Sequence, residues 1–166
     1  MLAPIIKFCA AAVMAVALLA PASPVGAADA GQPAAAKNGV VRVKSAHGMA
    51  ETIALVKKDI AAKGIMFFAE IDQSNLAKGA NINLRPSTLL LFGNPGLGTH
   101  FITAEPTAGL DWPVHLLVSQ DDKGVVWTTY TDFNYIKQRH GITSRDKEFA
   151  MATSVIQSIT SSVAAR

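Results

Sequence analysis

The chain has 166 residues, 50% of them hydrophobic, with 15 Lys and Arg against 12 Asp and Glu and a single cysteine. That size suits one ordinary domain, and the near balance of charge, with no Lys/Arg run interleaved by aromatics, argues against nucleic acid as a partner. Cys9 lies in an N-terminal apolar segment, so the rest of the chain has no thiol for disulfides, cysteine-ligated zinc, iron–sulfur clusters, thioether-linked haem or thiol catalysis.

The first residues have the layout of an export signal. Met1 to Lys7 carries one positive charge, Phe8 to Ala20 is an apolar core of 13 residues, and Pro21, Pro24 and Gly26 then break the helix. Val25-Gly-Ala27 fits the small-x-small cleavage rule, and Ala28-Asp-Ala30 offers a second site. A spanning helix needs roughly 20 apolar residues, so the segment is expected to be cleaved near Ala27 rather than kept as a membrane anchor. The protein is then expected in the periplasm or secreted. Cleavage removes Lys7 and leaves 139 residues with 14 basic against 12 acidic side chains. Residues 28–38 are small, polar and interrupted by Pro and Gly, as in a disordered tether, and residues 39–166 are expected to form one domain.

From Gly39 the pattern changes. Val41 and Val43 alternate with Arg42 and Lys44 as in a half-buried strand. Met49, Ile53, Val56 and Ile60 follow at helical spacing, and Gly64 ends that helix. Ile65 to Asp72 is a second strand whose faces, Phe67/Ala69/Ile71 and Met66/Phe68/Glu70/Asp72, are both partly apolar, which predicts a central place in a sheet. Gln73 to Gly79 reads as one or two helical turns, Asn81 to Leu84 alternates weakly, and Thr88 to Phe92 is a third strand. Short helical pieces broken by Pro106 and Gly109 lead to two more strands, Val114 to Gln120 and Val125 to Tyr130, joined by a hairpin turn at Asp121-Asp-Lys-Gly124. Asp132 is placed to cap a short helix running to His140 and closed by Gly141. A final helix starts near Thr143 or Ser144, with Asp146 set for a capping box from Thr143, and its stripe is Phe149, Ala152, Ile156, Ile159 and Val163. This order predicts an α+β domain: a mostly antiparallel sheet of about five strands with helices on one face.

Functional residues are sparse. The apolar run Leu89 to Phe92 stops at Gly93, Asn94, Pro95, Gly96 and Gly98, a loop built for a sharp turn. Its glycines fit neither the Gly-x-Gly-x-x-Gly nor the Gly-Lys-Ser/Thr phosphate template, so a turn from strand to helix is the simpler reading. His100 follows the loop and is placed at the rim of whatever cleft it shapes. His47 and His140 have structural roles available at helix ends, and His115 shares a strand face with Leu117 and Ser119. No pair has metal-ligand spacing, which leaves His100 and His115 as the metal candidates. Glu70 and Asp72 lie beside apolar groups, where a carboxylate pKa can rise.

The segments Phe68-Ala-Glu-Ile-Asp72, Leu84-Arg-Pro-Ser-Thr-Leu-Leu-Leu-Phe-Gly-Asn-Pro95, Ala108-Gly-Leu-Asp-Trp-Pro113 and Val126-Trp-Thr-Thr-Tyr130 resemble, as an ordered set, the domain of unknown function family 302. The resemblance runs from about Gly39 to Ile142. It implies a small α+β domain of bacterial proteins, often dimeric, and supplies no agreed reaction. Similar sequences often carry histidine after the Ile-Asp pair where this chain has Gln73, so a metal or haem role of that histidine does not carry over.

The expectation drawn from these observations is a homodimeric, non-catalytic module that binds a small apolar or planar ligand, haem among the candidates. Its site would comprise Gly93, Asn94, Gly96, Gly98, His100 and Trp112. The alternatives are an acid–base enzyme pairing Glu70 or Asp72 with His100 or His115, and a domain that serves only for dimerisation.

Overall fold

A computed structural model describes residues 34–165; the expected signal segment and most of the tether lie outside the described residues. The elements are β1 (Val40–Lys44), α1 (Met49–Ala62), β2 (Met66–Asp72), α2 (Gln73–Gly79), β3 (Ser87–Gly93), α3 (Pro95–Ala104), a 3-10 helix (Pro106–Asp111), β4 (Val114–Gln120), β5 (Val126–Thr131), α4 (Phe133–Arg139) and α5 (Asp146–Ser161). The strands form one sheet in the order β1-β5-β4-β3-β2, and every neighbouring pair is antiparallel. β1 and β2 occupy opposite edges and run the same way, so α1 carries the chain across one face of the whole sheet. The result is the two-layer α+β architecture that the pattern of elements predicts.

One face of the sheet meets the helices. Leu90 and Leu116 sit opposite each other in the β3–β4 ladder, and both are fully buried. Val43, Phe92 and Val118 extend that layer, against Val56 and Ile60 of α1 and Ile156 and Ile159 of α5. Phe101 of α3 stacks at 4.3 Å from Phe149 of α5 and lies 6.4 Å from Phe133 of α4, which locks three helices through aromatic contacts. On α1 the fully buried line is Thr52, Val56 and Ile60, with Met49 and Ile53 only partly covered. Thr52 tolerates the interior because its hydroxyl meets that of buried Ser45 at 2.7 Å.

β2 differs from its expected place. It is an edge strand, and a register shift between Phe67 and Ala69 breaks its alternation. Phe67 opposes Phe92 on the core side, whereas Ala69 opposes Leu91 on the outer side. The extra residue explains why both faces read as partly apolar, a pattern that mimics a central strand. Met66 and Phe68 remain 52% and 44% exposed at this edge. Asn81 to Leu84 forms no strand; Asn81 instead takes a left-handed φ of 58° just after α2.

The helix ends show how local residues set the boundaries. Asn94, Asp132 and Asp72 cap α3, α4 and α2 by accepting from Leu97, Tyr135 and Asn75 backbone N–H groups. Gly64, with φ 64°, follows α1, and the Ile65 N–H donates back to the Ile60 carbonyl at 3.1 Å, the paired closure that only a left-handed residue allows. The capping box expected from Thr143 does not form. α5 starts two residues later, with Arg145 left-handed at φ 68° as an N-cap that makes no side-chain cap bond. Asp146, in the first turn, instead pairs with Lys137 of α4.

Candidate ligand-binding cavity

The glycine loop is a helix start. Asn94 caps it, Pro95 occupies the first position with φ already suited to a helix, and the chain leaves β3 directly into α3. Gly93 and Gly98 have a different purpose. The Trp112 indole lies against both, and a Cβ built on either would overlap the ring. Neither glycine has a positive φ, so the constraint is close approach and not backbone conformation.

Trp112 is delivered by the 3-10 helix and followed by a cis bond to Pro113. That helix is held from both ends. Glu105 caps it by accepting from the Thr107 N–H, and this bond, with one from the Thr107 hydroxyl, holds the Glu105 carboxyl below its ordinary range. At the other end Asp111 accepts from Arg139 and contacts His140 Nε2 at 2.6 Å, while His140 Nδ1 lies 3.0 Å from the Thr107 hydroxyl. The His140 side chain is 4% exposed and that of Asp111 12%, so this contact, largely shielded from water, ties the 3-10 helix to the C-terminus of α4 one residue before the indole.

Between Trp112, the β3–α3 corner and α5 lies a cavity of about 390 Å³, within the range of about 300–1,000 Å³ of small-molecule sites. Its walls are apolar, chiefly Ile65, Phe92, Leu97, Trp112, Val114 and Val155. Lys63, Asn94, Ser154 and Ser158 also line it, and Lys63 is the charged residue among them.

Gly93, Asn94 and Trp112 of the expected site come together here. Gly98 is buried behind the indole, and Gly96 is exposed in the first turn of α3. His100 is exposed on α3 and does not line the cavity. His115 is exposed on the outer sheet face, where it opposes Leu91. Among the described residues no group of three or more His, Cys, Asp and Glu side chains is arranged to hold a metal ion. The two carboxylates proposed for acid–base work are committed elsewhere. Glu70 lies opposite Leu90 and accepts from Lys57 at 2.6 Å. The Asp72 carboxyl is held below its ordinary range by the Ser74 hydroxyl and then the Asn75 N–H. Neither is bonded to a histidine.

Sequence reasoning missed the α5 wall. Met151, Val155 and Ser158 form a row one position before Ala152, Ile156 and Ile159 of the core stripe, a widening of the apolar face that was readable from spacing. The Asp111–His140 contact, 29 residues apart, had no local signal.

A single antiparallel sheet of five strands with its main helices on one face and an apolar cavity beneath one of them defines a small two-layer α+β domain. The chain belongs to the family described as domain of unknown function DUF302, whose pattern matches residues 41–164. The fold is shared with the crystal structure of an uncharacterized conserved DUF302 protein from Bacillus stearothermophilus, at TM-score 0.69 and 14% identity, covering 75% of this chain and 98% of that one. The chain is also 38% identical over 105 residues to proteins named fluoride-specific ion channel FluC 1 of Brucella suis and of Brucella abortus, and to FluC 2 of Brucella melitensis. The match covers 63% of this chain and 39–41% of theirs, so this chain spans about two fifths of those proteins. None of the described helices is long and apolar enough to cross a membrane.

The packing of Trp112 makes a sharp prediction. Gly98→Ala forces the indole off its seat and lowers stability in urea unfolding by about 1–3 kcal/mol, the usual cost of overpacking. Gly96→Ala, exposed in the same helix, changes it by less than about 1 kcal/mol. Equal effects of the two substitutions would contradict the seat.

Proposed function

We propose that this domain is a non-catalytic module that takes a small, largely apolar ligand into the cavity beside Trp112. The observation that carries the reading is the cavity itself: about 390 Å³, apolar-walled, and bordered on α5 by the small residues Ala152, Ser154 and Ser158. Apolar surface left uncovered in this way favours an occupant that removes it from water. Of the planar ligands, haem finds no imidazole here, because no described histidine lines the cavity. The export signal expected over residues 1–27 would make this an exported or periplasmic binding protein.

A neutral apolar fluorophore, N-phenyl-1-naphthylamine, tests the reading. The expected result is saturable one-to-one binding with a dissociation constant on the order of 10 μM, weakened at least tenfold by Val155→Trp, which fills the cavity, while circular dichroism shows the fold unchanged. Absence of saturable binding, or binding indifferent to Val155→Trp, would sink it.

A homodimer is proposed alongside, through the sheet face that the helices leave uncovered. Ile71, Leu89, Leu91, Leu117 and Trp127 are only half-buried there, and a contiguous apolar patch of this kind on a sheet calls for a partner. Light scattering at micromolar concentration should give twice the chain mass, falling to the chain mass when Leu91→Lys is introduced. A monomer for the unaltered protein would remove the dimer and leave the cavity reading standing.

A further inference from the structure

We infer that the ligand of this cavity is an amphiphile with an anionic end, a medium-chain carboxylate in its simplest form; the inference rests on the cavity reading above. Lys63, Asn94, Ser154 and Ser158 are the polar residues of the lining. Lys63 Nζ uses one of its three N–H bonds on Asp59, at 2.7 Å, and keeps two. Asn94 spends its side-chain oxygen on the Leu97 N–H, which leaves the amide NH₂ unused. Ser154 donates to the Ala150 carbonyl, whereas the Ser158 hydroxyl makes no hydrogen bond among the described residues. The two serine hydroxyls can accept as well as donate, so the discriminating groups are the Lys63 ammonium and the Asn94 amide NH₂, and the only charge among the lining residues is positive. Donors gathered beside apolar walls are complementary to a carboxylate attached to a hydrocarbon. A cationic amphiphile would meet Lys63 and leave those donors unmatched, and a purely apolar ligand would desolvate them without replacement.

The opposite charge is Asp59, which pairs with Lys63 through one carboxylate oxygen and keeps the other buried without a hydrogen-bond partner. It does not line the cavity, and it engages Lys63 from within α1 at i,i+4, so a ligand carboxylate shares the ammonium rather than displacing it. A cavity of about 390 Å³ is of the size of small-molecule sites, and decanoate serves as the medium-chain representative. The α1 turn closed by Gly64 places Lys63 and Ile65 together among the lining residues.

The test is displacement of N-phenyl-1-naphthylamine from the purified protein by decanoate, 1-decanol and decyltrimethylammonium. Decanoate is expected to displace the probe at about one tenth the concentration of decanol, with the cation weakest. Lys63→Met should bring decanoate to the level of decanol while decanol itself is unchanged, and Lys63→Arg should restore the difference. If decanol displaces as well as decanoate, or if Lys63→Met leaves the preference intact, the anionic class is overturned while the apolar cavity stands. If none of the three displaces the probe, or if all do so equally well in Val155→Trp, the cavity reading falls and this inference with it.

Discussion

The Trp112 indole resting on the backbones of Gly93 and Gly98 is the contact on which the rest of the site depends. An aromatic ring lies flat on a main chain only where no Cβ intervenes, so two glycines five residues apart create a seat and the indole fills it. The seat joins the β3–α3 corner, from the end of β3 through the first turn of α3, to the segment after the 3-10 helix. Asp111 and His140 hold that segment from behind. The order of dependence is thus clear. The buried His140–Asp111 contact sets the 3-10 helix, the 3-10 helix sets Trp112, and Trp112 closes one wall of the cavity.

The cavity is what remains when a two-layer domain is packed with small residues on one side. α5 presses its Phe149, Ala152, Ile156 and Ile159 stripe onto the sheet and closes the core there. Its neighbouring row, Met151, Val155 and Ser158, faces the β3–α3 corner, where glycine and asparagine take the place of larger side chains. Protein interiors otherwise close to crystal-like density. A space of this size bordered by an aromatic ring and a lysine is what the proposed ligand would occupy. The uncovered outer face of the sheet is a separate matter, remote from the cavity across the thickness of the β-layer, and it suits an interface rather than a pocket.

Much of the fold was legible because it rests on short-range physics. Alternation found the strands, Gly64 and Gly141 found helix ends, and Asp132 found its helix. What failed did so for identifiable reasons. The bulge at Phe67–Ala69 inserts a residue that alternation cannot register, and it disguised an edge strand as a central one. The left-handed Arg145 moved the start of α5 past a plausible capping box, because the pairing of Asp146 with Lys137 competes for the same carboxylate. The glycine loop was recognised as a turn, yet its reason lay fourteen residues beyond Gly98, in Trp112. Three of the six residues expected at the site meet at the cavity, and His100 does not, since one helical turn carries it past the corner to the exposed side of α3. Tertiary contacts of that range leave no mark in local sequence.

The central claim, that Trp112 on its glycine seat forms the wall of a ligand cavity, is tested most directly by energy transfer from that indole. In Trp127→Phe, Trp112 is the one remaining tryptophan of the chain. On saturation with N-phenyl-1-naphthylamine its emission should be almost wholly quenched, with matching sensitised emission from the probe. Binding of the probe with the Trp112 emission unchanged would place the ligand elsewhere and contradict the account.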